Sequence, residues 1–408
     1  MRVRSAECGV RNGRRRRGEC SAFRTPHSAL LLWLLLAGGT GFQPVAGGAE
    51  EKPPAPDAKP GKPEASLEDR KTVVGTLIYP PRTQTRRESS ATKLLTPEVR
   101  EMVRKALEFV RRSQAADGGW GDKDFPQEVG VTALACLALM GDGSLPRVGP
   151  SGRQLAKGVE FLLDHVKDDG QIVARDTYKY GPMYGHVWST LVLLQVYGNV
   201  PWRKDLRDKL ARAIQIVLRF QKSDGGWRYK MMKEGESDVL VTLNVLYALR
   251  VGIAAGFAIP REVLDRGYRF IEGNGLPDGR FLYKAGGMPG SVAISGVGAL
   301  AFHLQGKFDH PLLVAATKYI DFTHKRCSEE DLLEVPYFIY GTWYTSQAMY
   351  RAGDDYWHPY YRKIVATLKK AQQEDGQFFD HRGNGVYPTA VAAIVLQAPL
   401  GYMPLYQR

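Results

Sequence analysis

An Asp-Gly turn recurs five times in this chain, each time between an amphipathic segment and a second, more apolar one. The turns are Asp117-Gly118-Gly119-Trp120, Asp169-Gly170-Gln171, Asp224-Gly225-Gly226-Trp227, Asp278-Gly279-Arg280 and Asp375-Gly376-Gln377-Phe378. The period is about fifty residues, and the nearly double gap before the last turn leaves room for one divergent unit. A fixed period of this size indicates a repeat architecture, because one such unit cannot bury its apolar face alone.

A hydroxyl side chain recurs in each of the second segments and gives an independent count of the units. These residues are Thr132, Thr190, Thr242, Ser295, Thr345 and Thr389. The fifth unit has no Asp-Gly turn, and Thr345 identifies it. The sequence therefore predicts six units, which we name units one to six.

Each unit has the pattern of a helical hairpin. The first segments are amphipathic, as in Val99, Val103, Ala106, Leu107 and Val110, which recur at helical spacing. The second segments are apolar nearly all round, in residues 131–140, 187–197 and 390–397. A helix of that kind must be buried or line an apolar cavity. We therefore predict one all-α domain over residues 96–408, an α/α toroid of six hairpins with the apolar helices inside.

The N-terminal 95 residues have a different composition. Residues 1–49 combine Arg14 to Arg17, an apolar run from Ala29 to Ala37 and small residues near Ala49. This pattern is typical of a secretory signal, and its apolar core is too short to span a bilayer. A basic tail is the alternative. Residues 50–95 are rich in Pro and Lys and predict a tether, with a short strand over residues 72–79. We expect a secreted or periplasmic protein with no transmembrane span once the leader is removed.

The positive charge of the chain does not indicate a nucleic-acid partner. The formal net charge is +13, and the leader holds six of these charges because it has eight arginines and two glutamates. The remaining basic residues alternate with acids on the first helices, which is typical of solvated faces. We expect no nucleic-acid binding, and the sequence contains no recognised cofactor motif, so we expect no cofactor.

Three segments resemble a known repeat. They are Lys105 to Trp120, Arg212 to Trp227 and Lys363 to Phe378, each with a glutamine before the turn and an aromatic residue after it. They are similar to the Gln-Trp repeat of squalene and hopene cyclases and to the repeat of protein prenyltransferase β subunits. The resemblance covers roughly residues 96–400 and implies the toroid fold. The glutamine amide can tie the first helix to the turn while the indole packs across the gap.

The catalytic elements of these families are missing. The cyclase Asp-x-Asp-Asp element is reduced to Glu236-Ser237-Asp238-Val239. The zinc-binding Asp-x-Cys pair of the prenyltransferases and the Cys-Gly-Glu-Gln thioester motif of complement-like proteins are both absent from the sequence. The resemblance therefore does not imply a particular reaction, and whether the protein is an enzyme stays open.

We call the residues four positions before the hydroxyl residues the crown. The first four of them are polar and the last two are glycines. Its members are Glu128, His186, Asp238, Ser291, Gly341 and Gly385. Glu128, His186 and Asp238 are the candidate catalytic residues, because two carboxylates and an imidazole can serve as acid and base or bind a metal. Alternatively, the carboxylates offset helix dipoles and His186 is a satisfied buried imidazole. No residue is assigned to a metal.

Aromatic residues are concentrated where the second helices of units two and five begin. Tyr184, Trp188, Tyr340 and Trp343 are the candidate ligand-binding residues, because such rings hold isoprenoids, stabilise cations or stack on sugars. They can equally fill a closed core. We expect an exported, non-catalytic or divergent repeat protein that binds a partner or an apolar ligand. The alternative is a terpenoid- or saccharide-processing enzyme that uses the crown. In either case we expect the binding partner to be an apolar ligand, a saccharide or a protein.

Overall fold

The structure is a computed structural model that describes residues 90–121, 128–174, 181–380 and 383–402. The predicted leader and the tether up to residue 89 lie outside the described residues. The prediction of an all-α toroid is confirmed, since thirteen α-helices and one short two-stranded sheet account for the regular structure in the described part of the chain, apart from short 3-10 turns.

Twelve of these helices form six consecutive pairs. The first, outer helices are α1 (Pro97–Arg112), α3 (Gly152–Asp164), α5 (Leu206–Arg219), α7 (Arg261–Glu272), α9 (Pro311–Arg326) and α12 (Asp354–Ala371). The second, inner helices are α2 (Val129–Met140), α4 (Pro182–Gln195), α6 (Val239–Ala254), α8 (Val292–Gln305), α11 (Phe338–Ala352) and α13 (Val386–Leu396). A short helix, α10 (Glu329–Leu333), lies within unit five. Strands β1 (Phe378–Asp380) and β2 (Gly383–Gly385) pair antiparallel just before α13.

The inner helices contact one another in a closed cycle. Helix α2 packs on α4, α4 on α6, α6 on α8, α8 on α11 and α11 on α13, and α13 returns to α2. Helix α13 also packs on α1, so the last unit is joined to the first through both layers. None of the helices in the described ranges is both long and apolar enough to cross a membrane.

Local sequence explains the two layers. Helix α1 begins after Thr96, whose hydroxyl accepts the Val99 N–H at 3.2 Å, with Pro97 in the first turn. It buries only one face. Every residue of α2 is buried, as its all-round apolar sequence predicts. Removal of this apolar surface from water is the main term that holds the ring closed.

The glutamines that precede three of the turns tie neighbouring outer helices together. The Gln114 amide donates to the Gly118 carbonyl at 2.8 Å and to the Gln154 carbonyl of α3 at 2.9 Å. Gln221 makes the same pair of bonds to Gly225 and to Val263 of the following unit. Gln372 reaches Met102 of α1 at 2.9 Å and so closes the ring between units six and one. The predicted structural role of the glutamine is confirmed.

The recurring hydroxyl residues fix the segment after each turn. The Trp120 N–H donates to Thr132 Oγ1, the Trp227 N–H to Thr242 Oγ1 and the Phe378 N–H to Thr389 Oγ1, each at 2.9 Å. Both indoles are fully buried, and that of Trp120 donates to the Val110 carbonyl at 2.7 Å. Turn, outer helix and inner helix are thus joined by the same bonds in units one and three.

Candidate functional site

Glu128 caps the first inner helix. Its Oε2 accepts the N–H groups of Gly130 and Val131, at 2.5 and 3.1 Å. A carboxylate in this position satisfies backbone donors that the helix leaves unpaired and offsets the positive end of its dipole. Burial raises the pKa of Glu128, and the two backbone N–H groups oppose that rise.

His186 takes over the role that a hydroxyl has in other units. Its Nδ1 accepts the Ile172 N–H at 3.1 Å, where Trp120 and Trp227 donate to threonine instead. Its Nε2 donates to the Ala213 carbonyl of α5 at 3.0 Å. The imidazole is fully buried, and burial lowers its pKa to about 4. Both ring nitrogens are engaged with backbone, so neither is left for a metal or a substrate in this arrangement.

Only one carboxyl oxygen of Asp238 accepts a hydrogen bond from the described residues. Its Oδ1 caps α6 by accepting the Val241 N–H at 2.7 Å. Its Oδ2 is buried and has no hydrogen bond to the described residues. Burial raises the pKa of Asp238 to about 7, against the opposing effects of the Val241 N–H, Arg228 and the Tyr283 hydroxyl. At neutral pH this carboxyl is therefore divided between its protonated and ionised forms.

A group of partly exposed tyrosines, two of which interact with Asp238, lies at the amino-terminal end of the inner helices. We call them the tyrosine cluster: Tyr184, Tyr229, Tyr283, Tyr340 and Tyr387. Tyr184 and Tyr283 each interact electrostatically with Asp238 and with Tyr340. The rings of Tyr340 and Tyr387 lie 6.0 Å apart. The structure thus brings one predicted ligand-binding residue, Tyr184, next to a predicted catalytic residue, Asp238, and places a second, Tyr340, near Tyr184.

The other two predicted ligand-binding residues lie below the tyrosine cluster. Trp188 of α4 and Trp343 of α11 are buried and meet edge to face, with ring centroids 5.0 Å apart. Helices α4 and α11 are three steps apart in the cycle of six, so this contact spans the diameter of the ring. Both tryptophans lie about one and a half turns from the helix starts, roughly 8 to 9 Å into the ring at 1.5 Å per residue.

A second contact crosses the ring at the same level. The Tyr344 hydroxyl of α11 donates to Asn244 Oδ1 of α6 at 3.1 Å and lies 2.7 Å from the Tyr340 hydroxyl. Asn244 Nδ2 is buried and has no partner among the described residues. A free donor on Asn244 and a free oxygen on Asp238 therefore accompany the tyrosine cluster, and each favours a ligand or ordered water as its partner.

The described residues contain no group of three or more His, Cys, Asp or Glu side chains close enough to hold a metal ion. Glu128, His186 and Asp238 occupy equivalent positions in consecutive units, as the sequence predicts, but each makes its own local bonds. Glu128 and Asp238 each use one carboxyl oxygen as a helix cap, and Asp238 is the one that interacts with Tyr184 and Tyr283.

Sequence reasoning missed Tyr229, Tyr283 and Asn244. Tyr229 and Tyr283 each stand five residues after the aspartate of their turn, Asp224 and Asp278. The register that identified the hydroxyl residues could also have identified these two tyrosines. Asn244 had no such signal, because it is not one of the positions whose side chains recur in every unit and its cross-ring partner is a hundred residues away.

Comparison with known proteins supports the fold. No family model and no curated protein matches the sequence. The type II terpene cyclase MstE from Scytonema superposes with a TM-score of 0.54 at 14% identity, over 76% of this chain and 100% of the cyclase. A variant of that cyclase bound to its substrate, geranylgeranyl dihydroxybenzoate, gives a TM-score of 0.52 at 15% identity, over 76% of this chain and 99% of that one.

A glycoside-acting protein has the same fold. An inactive α-1,6-mannanase variant from Salegentibacter, in complex with α-1,6-mannotetrose, superposes with a TM-score of 0.52 at 9% identity, over 75% of this chain and 99% of the mannanase. At these identities the likeness establishes the fold alone. The resemblance to the cyclase and prenyltransferase toroids is thereby confirmed at the level of architecture.

Proposed function

We propose that this chain is an exported, non-catalytic or divergent α/α toroid that binds a ligand at the tyrosine cluster. The observation that carries the proposal is the contact between Trp188 and Trp343 across the ring. A long isoprenoid chain would need the lumen below this level, whereas the two tryptophans lie only about 9 Å along their helices from the amino-terminal starts. The ligand therefore sits at the amino-terminal end of the inner helices.

The bonds made by the crown favour binding over catalysis. Glu128 and His186 are both used to hold backbone groups in place. General acid and base catalysis on a saccharide generally needs two suitably spaced carboxyl groups. Among the described residues, Asp238 is the crown carboxyl that interacts with the tyrosine cluster, and no second carboxyl is paired with it there.

The chemistry of the tyrosine cluster favours a saccharide among the ligands that the sequence allows. Tyrosine rings stack on the apolar faces of sugars, and their hydroxyls bond to the sugar edge. Asn244 Nδ2 can donate and Asp238 Oδ2 can accept, so each is suited to bond to a sugar hydroxyl. A structurally similar mannanase binds mannotetrose, and a similar cyclase binds a geranylgeranyl compound, so both ligand classes occur on this fold.

Binding measurements on full-length processed protein test this proposal. Isothermal titration against manno-oligosaccharides and against geranylgeraniol should detect saccharide binding. Tyr184→Ala and Tyr340→Ala should each weaken it about tenfold, since each removes a stacking face. Phe322→Ala is the matched control, because Phe322 is an aromatic residue of α9 that is 58% exposed. Binding of geranylgeraniol alone, or equal losses in the control, would overturn the proposal.

A second candidate function is supported by Asp238. A buried carboxyl with an unpaired oxygen and a pKa near 7 is suited to donate a proton at neutral pH. The protein would then be a terpenoid- or saccharide-processing enzyme. Asp238→Asn keeps an oxygen for the helix cap but removes the proton donor. If the wild-type protein converts a bound ligand and Asp238→Asn binds that ligand without converting it, the protein is an enzyme and Asp238 is its proton donor.

Export is part of the proposal and rests on the sequence of residues 1–49. Expression in a host that processes secretory signals should give an exported product that begins near residue 47 to 50. N-terminal sequencing checks this result. A product that accumulates in the cytoplasm and retains Arg14 to Arg17 would contradict export.

A further inference from the structure

Two adjoining cavities open on the outside of the ring, away from the tyrosine cluster. One has a volume of about 390 Å³ and the other about 220 Å³. Both are lined by Arg153 and Lys157, which stand four residues apart on one face of α3. Together the two cavities make a groove between α3, the end of α1 and the loop that leads into α3.

The groove is strongly basic. Its charged lining residues are Arg111, Arg147, Arg153, Lys157 and Glu160. The acid is already neutralised, because Glu160 accepts from Arg203 and from the Trp202 indole. Arg111 is paired with Glu108 at 2.9 Å. Arg153 and Lys157 have no ion pair or hydrogen bond from their side chains to the described residues.

Arg147 is held in position by a strained backbone conformation and by stacking on a tryptophan ring. Arg147 has a φ of +67°, a left-handed conformation that is unfavourable for a residue with a side chain. Its guanidinium stacks on the Trp202 ring at 3.6 Å, and Trp202 is itself fixed by its bond to Glu160. Arg147 is therefore a positioned charge at the wall of the groove, and its charge is not balanced by an acid among the described residues.

The lining distinguishes between kinds of anionic partner. Protein interfaces depend on apolar or aromatic anchors, and the apolar lining here is limited to Ala115, Ala116 and Ala156. A membrane surface is flat, whereas this site is a concave groove of two connected cavities. The Gln154 amide has no side-chain partner and can bond to hydroxyl groups. Hydroxyls and regularly spaced anions occur together on acidic saccharide chains.

We propose that this groove, formed by Arg111, Arg147, Gln154, Arg153 and Lys157, binds a saccharide chain that carries carboxylate or sulfate groups. Arg153 and Lys157 lie between the two cavities and contact anions on successive sugars. Arg147 supplies a third fixed charge. This site is separate from the tyrosine cluster and does not depend on the function proposed for it.

The test is a titration of the full-length processed protein with short oligogalacturonates and with sulfated dextran oligomers, at low and at physiological salt. At least one of the two should bind, more weakly at the higher salt. The double variant Arg153→Ala/Lys157→Ala should weaken binding about tenfold or more, because it removes two charge-assisted contacts. The double variant Arg261→Ala/Lys318→Ala removes two exposed charges from α7 and α9 and should leave the affinity unchanged. Which oligomer binds distinguishes carboxylate from sulfate recognition.

Three results would overturn the proposal. They are no binding of either oligomer, an equal loss in both double variants, or equally tight and equally sensitive binding of poly-glutamate or of phosphatidylserine vesicles. The last result would assign the groove to an acidic protein or a membrane. The circular dichroism spectrum serves as the internal reference, because Arg153→Ala/Lys157→Ala should leave the fold unchanged.

Discussion

His186 and Asp238 occupy the same position in consecutive units and have opposite properties. His186 is bonded at both nitrogens to backbone groups, and burial lowers its pKa to about 4. Asp238 uses one oxygen as a helix cap and leaves the other unpaired, and burial raises its pKa to about 7. Both groups are therefore largely or partly neutral at neutral pH, but only Asp238 has an atom available to a ligand.

The difference shows that a repeat position can be structural in one unit and available for function in the next. Unit three already has Thr242 to accept the Trp227 N–H, so Asp238 is not needed for that bond. Unit two uses His186 for the corresponding Ile172 N–H, while Thr190 bonds within its own helix to the His186 carbonyl. The side chain that accepts the N–H group after the turn is therefore fixed in a structural role, and the other side chain is available to a ligand.

The largest effect that separates the two residues is expected on stability. His186→Ala leaves the Ile172 N–H and the Ala213 carbonyl unpaired in the core and opens a cavity. We expect the free energy of unfolding to fall by about 3 kcal/mol. Urea unfolding monitored by circular dichroism measures this loss.

Asp238→Asn is the comparison variant for that measurement, and it should cost less than about 1 kcal/mol at pH 7 because asparagine also caps helices. A His186→Ala protein with unchanged stability but altered ligand binding would contradict the structural role of His186.

The pH dependence of stability should differ between wild type and Asp238→Asn. The pKa of Asp238 is about 7 in the folded protein and about 3.9 when unfolded, so the folded state holds the proton more tightly. Its stabilising contribution is complete below the unfolded value and is lost as pH rises through 7. Between pH 5 and pH 8 wild type should lose about 2 kcal/mol relative to Asp238→Asn. Unfolding curves that stay parallel across this range would mean that Asp238 is ionised throughout.

A smaller effect, on the pKa of Asp238, is expected when the Tyr283 hydroxyl is removed. That hydroxyl lowers the pKa of Asp238, so Tyr283→Phe should raise that pKa further. The effect on stability should be small, on the order of 0.5 kcal/mol, because Tyr283 is partly exposed and the hydroxyl lacks a full hydrogen bond to Asp238. Infrared titration of the protonated carboxyl band measures the shift, with Tyr229→Phe as the matched control. An unchanged pKa would show that the Tyr283 hydroxyl is not beside the carboxyl.

The fold could be predicted from the sequence because each unit repeats the same physical requirements. The Asp-Gly turns, the glutamine ties and the threonine acceptors bond within a unit or to its neighbour, so one register revealed them all. Closure of the ring followed from the count of units, and the Gln372 bond to Met102 is the repeat contact applied across the ends.

The site could be predicted only in part, because its contacts cross the ring. The sequence placed Tyr184, Tyr340 and Asp238 at one end of the inner helices. It could not show that Trp188 meets Trp343 or that Tyr344 reaches Asn244, since both contacts join units separated by more than ninety residues. The basic groove was also hidden, because charge alternation along each helix does not reveal which cations remain unpaired after the helices pack.

A crystal structure of the protein with a captured saccharide would show directly whether the tyrosine cluster binds the ligand. We expect the sugar to lie against Tyr184 and Tyr340, within hydrogen-bonding distance of Asp238 Oδ2, and above an intact contact between Trp188 and Trp343. A ligand that passes between the two tryptophans into the lumen, or one that leaves the tyrosine cluster empty, would contradict this expectation.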